Sequence, residues 1–210
     1  MEFLDAAYLG LKATSTLELV SVVFGVLYIL LAARQNVWCW PAGFISTGCS
    51  AYLFFDVKLL MEAALNVYYL AIAFYGWYQW QYGSETKTEL SVRSFSLKEH
   101  LVVICLVSVL AVISGFILDT KTDAAFPYLD SATTWAAVIA TWMLAKKVLE
   151  NWLYWVVIDA VSVYLYLQKN LELYALLFLV YIVIAIFAYR QWHHSWNNKQ
   201  AGNLVDDQTA

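Results

Sequence analysis

The sequence predicts an all-α membrane protein: seven transmembrane helices set as two parallel three-helix bundles joined by a linker helix. Three observations predict it. Of 210 residues, 62% are hydrophobic and only 13% charged, too little charge to wet a soluble domain of this length. The apolar residues come in runs of about 20, enough for a helix to cross ~30 Å of hydrocarbon. The third observation is that part of the first half of the chain recurs in the second. Lipid leaves backbone groups without outside partners, so only helices or closed barrels span it. Barrel strands would alternate over ~10 residues, and these runs do not.

The spans follow in order. Residues 16–33, 37–56 and 59–80 form a first bundle over 16–80. Residues 100–118 form the linker helix. Residues 131–146, 152–168 and 171–192 form a second bundle over 131–192. Connections are brief except 81–99, which is polar, and the tail 193–210 is expected to be cytoplasmic, polar and, from Trp196 onward, disordered. Met1 to Ser15 carries Glu2 and Asp5 and has no basic start before an apolar run, so no cleavable leader is expected.

Shifting the chain by 112 residues aligns 34–80 with 146–192 without a gap. The matches that composition does not explain are Trp40 with Trp152, Ser50 with Ser162, Tyr52 with Tyr164, Tyr69 with Tyr181, Gln79 with Gln191 and Trp80 with Trp192. Three helices reverse direction across the membrane and a fourth restores it, so the two bundles should run parallel. Duplicated bundles place a substrate site at their interface near mid-membrane. Orientation follows from Lys and Arg. One side holds four: Lys12, Lys58, Lys121 and Lys169. The other holds eight: Arg34, Lys87, Arg93, Lys98, Lys146, Lys147, Arg190 and Lys199. The richer side should be cytoplasmic, leaving the N-terminus outside and the C-terminus inside.

Polar residues inside a membrane are costly and call for a reason. In the sixth span, Trp152, Trp155, Asp159 and Ser162 share one helical face. The equivalent face of the second span is Trp40, Gly43, Thr47 and Ser50. Asp159 lies near mid-span with no basic residue at its depth, and a buried carboxylate needs a partner. A cationic ligand would supply one, and the indoles would add cation–π attraction of ~0.5–2 kcal/mol per contact. A protonated Asp159 hydrogen-bonded across the bundle is the structural alternative. In the third span Glu62, Asn66, Tyr69 and Ala73 share a face. Asn66 offers two donors and an acceptor, suited to an amide or aminopyrimidine edge, or to a helix–helix hydrogen bond. Glu62 reads as structural. Trp77, Trp80, Tyr189 and Trp192 read as interface-belt aromatics.

Several classes are excluded. The net charge is −4 and no basic patch exists, so no nucleic-acid partner is expected. The three cysteines, Cys39, Cys49 and Cys105, lie in apolar runs without zinc spacing and read as core residues. No phosphate-binding loop of the G-x-x-x-x-G-K-[ST] type occurs. The last span has no Lys for a retinal Schiff base, and His100, His193 and His194 sit at span edges. No cofactor, metal site or clustered nucleophile and base is expected, so the protein does not read as an enzyme.

The stretches LNVYYLAIAFYGWYQW (65–80), TDAAFPYLDS (122–131) and ENWLYWVVIDAVSVYLYLQ (150–168) resemble the Pnu family of bacterial vitamin transporters. The resemblance covers about 20–192. It implies a multi-pass inner-membrane protein with a 3+1+3 helix fold, related in architecture to SWEET sugar transporters. It also implies facilitated diffusion, with the vitamin trapped inside by phosphorylation, and commonly a homotrimer. The nicotinamide riboside branch usually shows Gln where this chain has Asn66, and Asn where it has Asp159. The similar thiamine branch is the better expectation, because a carboxylate can read an exocyclic amine and ring nitrogen as a charge-assisted pair.

The expected site is therefore Trp40, Asn66, Tyr69, Trp152, Trp155 and Asp159. The aromatics sandwich the rings, Asp159 reads the aminopyrimidine and Asn66 a second polar edge. Thiamine is expected first and nicotinamide riboside second. A membrane sensor that binds without moving its ligand is the third reading. An uncharged sugar would not require Asp159.

Overall fold

The computed structural model describes residues 15–56, 58, 60–83, 90–122, 124–168 and 172–209. Lys12, Lys87 and Lys169 of the charge count, the leader reading over the first 14 residues, Leu59, Leu171 and Asp123 lie outside them. Seven helices form among the described residues: α1 (Thr16–Ala33), α2 (Cys39–Asp56), α3 (Leu60–Tyr82), α4 (Leu97–Lys121), α5 (Pro127–Ala145), α6 (Asn151–Gln168) and α7 (Glu172–Thr209). Thr16–Ala33, Leu97–Lys121 and Tyr174–Ala201 are long and apolar enough to cross a membrane. α2, α3, α5 and α6 are interrupted by Ser, Thr, Asn, Asp, Glu or Gly, which lowers their mean apolarity.

The helix limits carry the 112-residue offset. Shifted by that amount, Cys39–Asp56 falls on Asn151–Gln168, and the ends of α1 and α5 and the starts of α3 and α7 also coincide. The offset reaches the backbone of the first turn. Gln35 and Lys147, equivalent positions, both take left-handed φ, 56° and 50°. The amide after each reaches five residues back, Asn36 to the Leu31 carbonyl at 3.0 Å and Val148 to the Met143 carbonyl at 2.9 Å. This is the Schellman closure of a helix. Glycine usually fills the left-handed position, and both turns use a long side chain instead.

The chain divides into two compact units, residues 1–32 with 36–77, and 33–35 with 78–210. In the first, Ser15 caps α1 by accepting from the Glu18 amide at 3.2 Å. Small hydroxyls join α1 to α2. The Ser21 hydroxyl donates to the Ser46 carbonyl (3.1 Å), the Ser46 hydroxyl to the Ser21 carbonyl (2.8 Å), and the Ser21 and Ser50 hydroxyls lie 2.6 Å apart. Such bonds replace the hydrophobic drive that lipid removes. On the other side of α2, Phe44 meets Phe74 of α3 edge-on at 4.7 Å.

In the second unit α4 opens on a capping box, Ser96 and Glu99 bonding reciprocally. α4 packs on α5, α5 on α6 and α6 on α7. Gly115 lets Tyr128 lie on α4, where a Cβ would collide with its ring and backbone. The loop before α4 is more ordered than its polarity suggests. Arg93 exchanges backbone bonds with the α5–α6 turn, its amide to the Lys147 carbonyl (3.0 Å) and its carbonyl from the Leu149 amide (2.8 Å). Phe95 drops into a core with Val103, Met143 and Val148.

Three expectations are corrected. The tail is not irregular, because α7 continues to Thr209. Polar i,i+4 pairs, Asn197 with His193 (3.3 Å) and Asn198 with His194 (3.2 Å), fit a continued helix. Cys105 is exposed rather than core. Trp80 and Trp192 are not belt residues, being 2% and 0% exposed. Each indole N–H donates to the end of a helix that precedes the turn, Trp80 to the Leu144 carbonyl (3.3 Å) and Trp192 to the Ala33 carbonyl (3.1 Å). Helix-end carbonyls lack intrahelical partners, and a buried indole donor satisfies one.

Candidate functional site

In the first unit, Trp40 is buried and its ring lies against Gly76 of α3, where a Cβ would overlap the indole. Tyr28 of α1 packs on it at 6.0 Å, tilted by 59°. Tyr28 in turn fills the notch at Gly43, where a Cβ would come within 2.9 Å of the ring. The repeat-equivalent face of α2 is thus a stack of two rings seated on two glycines. Tyr69 is half-buried, with the Tyr68 ring at 5.5 Å. Asn66 is half-buried too, and its amide N–H donates to the Glu62 carbonyl of its own helix at 2.9 Å. It makes no helix–helix bond through that donor, and no partner for the second donor or the acceptor is found among the described residues. A cavity of about 380 Å³ lies beside Trp40, lined by Pro41, Phe44, Ile45, Ala73, Phe74 and Trp77. Its walls offer hydrocarbon and ring faces.

In the second unit, the predicted face of α6 is buried at Trp152, Asp159 and Ser162, while Trp155 is half-buried. Asp159 is 3% exposed, and among the described residues no hydrogen bond or ion pair to its carboxylate is found. Tyr181 of α7 lies within electrostatic reach of it. Trp152 meets Trp192 edge-on at 5.6 Å, and its buried indole N–H has no hydrogen-bond partner among the described residues. Both observations describe polar groups withdrawn from water and left for something else to satisfy.

The structure therefore groups Trp40, Asn66 and Tyr69 in one unit and Trp152, Trp155 and Asp159 in the other. Sequence reasoning passed over Tyr181, although its equivalent, Tyr69, had been singled out and the offset pointed to it. The charge count places Lys147 among the eight cations of the cytoplasmic side, and the structure adds that its side chain is buried. No group of three or more His, Cys, Asp or Glu able to hold a metal ion occurs among the described residues.

An all-helical chain with three helices long and apolar enough to cross a membrane fits the class of polytopic membrane proteins. Residues 15–194 match the nicotinamide mononucleotide transporter family, and the chain belongs to it. The nicotinamide riboside transporter PnuC of Escherichia coli K12 is 27% identical over 207 residues, covering 86% of each chain. The riboflavin/roseoflavin transporter RibM of Streptomyces davaonensis is 24% identical over 178 residues, covering 83% of each. The crystal structure of the vitamin B3 transporter PnuC superposes with a TM-score of 0.70 at 22% identity, covering 93% of this chain and 88% of that one. That likeness shows the fold. These relatives are named for nicotinamide riboside, vitamin B3 or flavins, so the expected ranking of thiamine over nicotinamide riboside finds no support in them.

Proposed function

We propose that the chain carries a cationic, heteroaromatic B-vitamin into the bacterial cytoplasm by facilitated diffusion, with nicotinamide riboside as its first substrate. The observation that carries this reading is Asp159, an acid 3% exposed with no hydrogen bond or ion pair among the described residues. Leaving a carboxylate so placed is expensive unless a cation arrives to compensate it. A pyridinium ring brings a fixed positive charge and a flat face for indoles. The name of the PnuC relative supports the riboside.

The reading includes the finer architecture. All seven helices cross the bilayer as two parallel three-helix bundles with α4 as linker. The N-terminus is outside, the C-terminus is cytoplasmic, and the protein assembles as a homotrimer. Trp40, Tyr69, Trp152 and Trp155 stack on the vitamin, Asn66 reads a polar edge, and Asp159 balances the charge.

Thiamine is the second reading, favoured by one observation. Asp159 stands where the riboside branch usually has Asn, and a carboxylate can accept from an aminopyrimidine.

Uptake into proteoliposomes of purified protein tests the proposal. Labelled nicotinamide riboside should equilibrate across the membrane without an energy source. Thiamine entering while the riboside does not would reverse the ranking. Binding without flux would make the protein a sensor.

A further inference from the structure

Asp159 lies midway along α6, 3% exposed, and no described residue of the second unit brings a positive charge to it. α6 packs on α5 and α7. α5 carries titratable groups only in its first turn, Tyr128 and Asp130. α7 brings Tyr181, whose phenol is within electrostatic reach of Asp159 and carries no positive charge. Arg190, the first cation of α7, lies about 14 Å further along the helix axis. On α6 itself the titratable groups are Tyr154, Tyr164 and Tyr166. His100 of α4 bonds the Tyr154 hydroxyl at 3.0 Å, more than a turn before Asp159 and on another face of α6.

A carboxyl so placed avoids a bare charge in one of two ways: it keeps its proton, or it pairs with a cation. Taking an unpaired charge out of water costs far more than leaving one O–H donor unmade. The described surroundings offer the anion neither hydrogen-bond donors nor a counter-charge. The neutral acid is the form that suits the empty site, and the carboxylate is the form that suits a loaded one.

We infer that Asp159 is a proton-exchange site, protonated while the site is empty and giving its proton to water as the cationic vitamin docks. The arrival of the cation rests on the transport reading. The carboxyl O–H bond breaks with its electron pair left on oxygen, the proton leaves with water, and the carboxylate meets the cation. One positive charge enters and one departs. The site is neutral before and after, so no net charge is buried at either stage. An uncharged ring offers nothing in exchange for the proton. Proton and vitamin thus compete for one carboxylate, and each weakens the other by the same factor. Raising the pH removes the competitor, so affinity for the cation rises by up to about tenfold per pH unit and levels off once the empty site has lost its proton. Exchange of one riboside for another moves no net proton.

Titration calorimetry on the full-length protein in detergent counts the protons, by comparing two buffers of different ionisation heat at one pH. In mildly acidic buffer nicotinamide riboside should release up to about one proton, and its Kd should fall as pH rises. Asp159→Asn should release none and bind with a Kd independent of pH. The count on the unsubstituted protein needs no variant, so it stands even where Asp159→Asn does not fold. Infrared spectra of the protein without substrate give a second readout. The difference between the unsubstituted protein and Asp159→Asn should show the C=O stretch of a protonated carboxylic acid, replaced by carboxylate bands as pH rises. Riboside binding without proton release in mildly acidic buffer, or a carboxylate there in the empty protein, overturns the exchange. A protonated acid in a protein that binds no riboside leaves the empty form of Asp159 as inferred and removes the riboside reading.

Discussion

Replacing Asp159 by Asn keeps the volume and removes the charge. Uptake of nicotinamide riboside or thiamine should fall at least about tenfold, while a neutral flavin should be unaffected, because only cations gain from the carboxylate. Initial rates for the three compounds in proteoliposomes check this, and equal losses would make Asp159 structural. Tyr181→Phe should weaken cation uptake by a smaller factor, because Tyr181 carries no charge of its own and lies within electrostatic reach of Asp159. The residue scale also shows what could be read beforehand. Spacing alone put Trp152, Asp159 and Ser162 on one face, and all three are buried. It could not show that Asn66 would turn one donor to its own helix, since an Asn has several partners of similar energy within reach.

At the scale of elements, two joints can be broken selectively. Gly76→Ala puts a methyl where the buried Trp40 ring lies. Overpacking of this kind costs about 1–3 kcal/mol, and thermal unfolding in detergent should shift downward accordingly. An unchanged midpoint would mean that α3 can slide. Glu150→Gln removes the charged acceptor that fastens the Ser94 and Phe95 donors. Amides of residues 93–96 should then exchange faster with solvent deuterium, while those of α4 beyond its first turn keep their protection. The helix limits were legible in the apolar runs to within four residues at every end but that of α7. The docking of the loop before α4 was not, because it pairs Arg93 with Val148 across a long stretch of chain and leaves no local periodicity. The continuation of α7 to Thr209 was missed for a similar reason: a polar segment can be helical when a preceding helix has already met the cost of nucleation.

For the whole molecule, the transport reading predicts exchange without fuel. Vesicles loaded with unlabelled nicotinamide riboside should draw in labelled riboside by counterflow, and an ionophore should leave the rate unchanged. Abolition by the ionophore would show ion coupling. By itself the sequence determined the membrane setting, the helices and the 112-residue offset, because these follow from burying apolar side chains and backbone polar groups in lipid, which every residue reports locally. Tertiary structure alone decided the fates of Trp80, Trp192 and Lys147. A tryptophan near a span end satisfies either an interfacial belt or an orphaned helix-end carbonyl, and a lysine there can lie in water or on an indole. The choice depends on which distant backbone comes within about 3 Å, a distance no local pattern encodes.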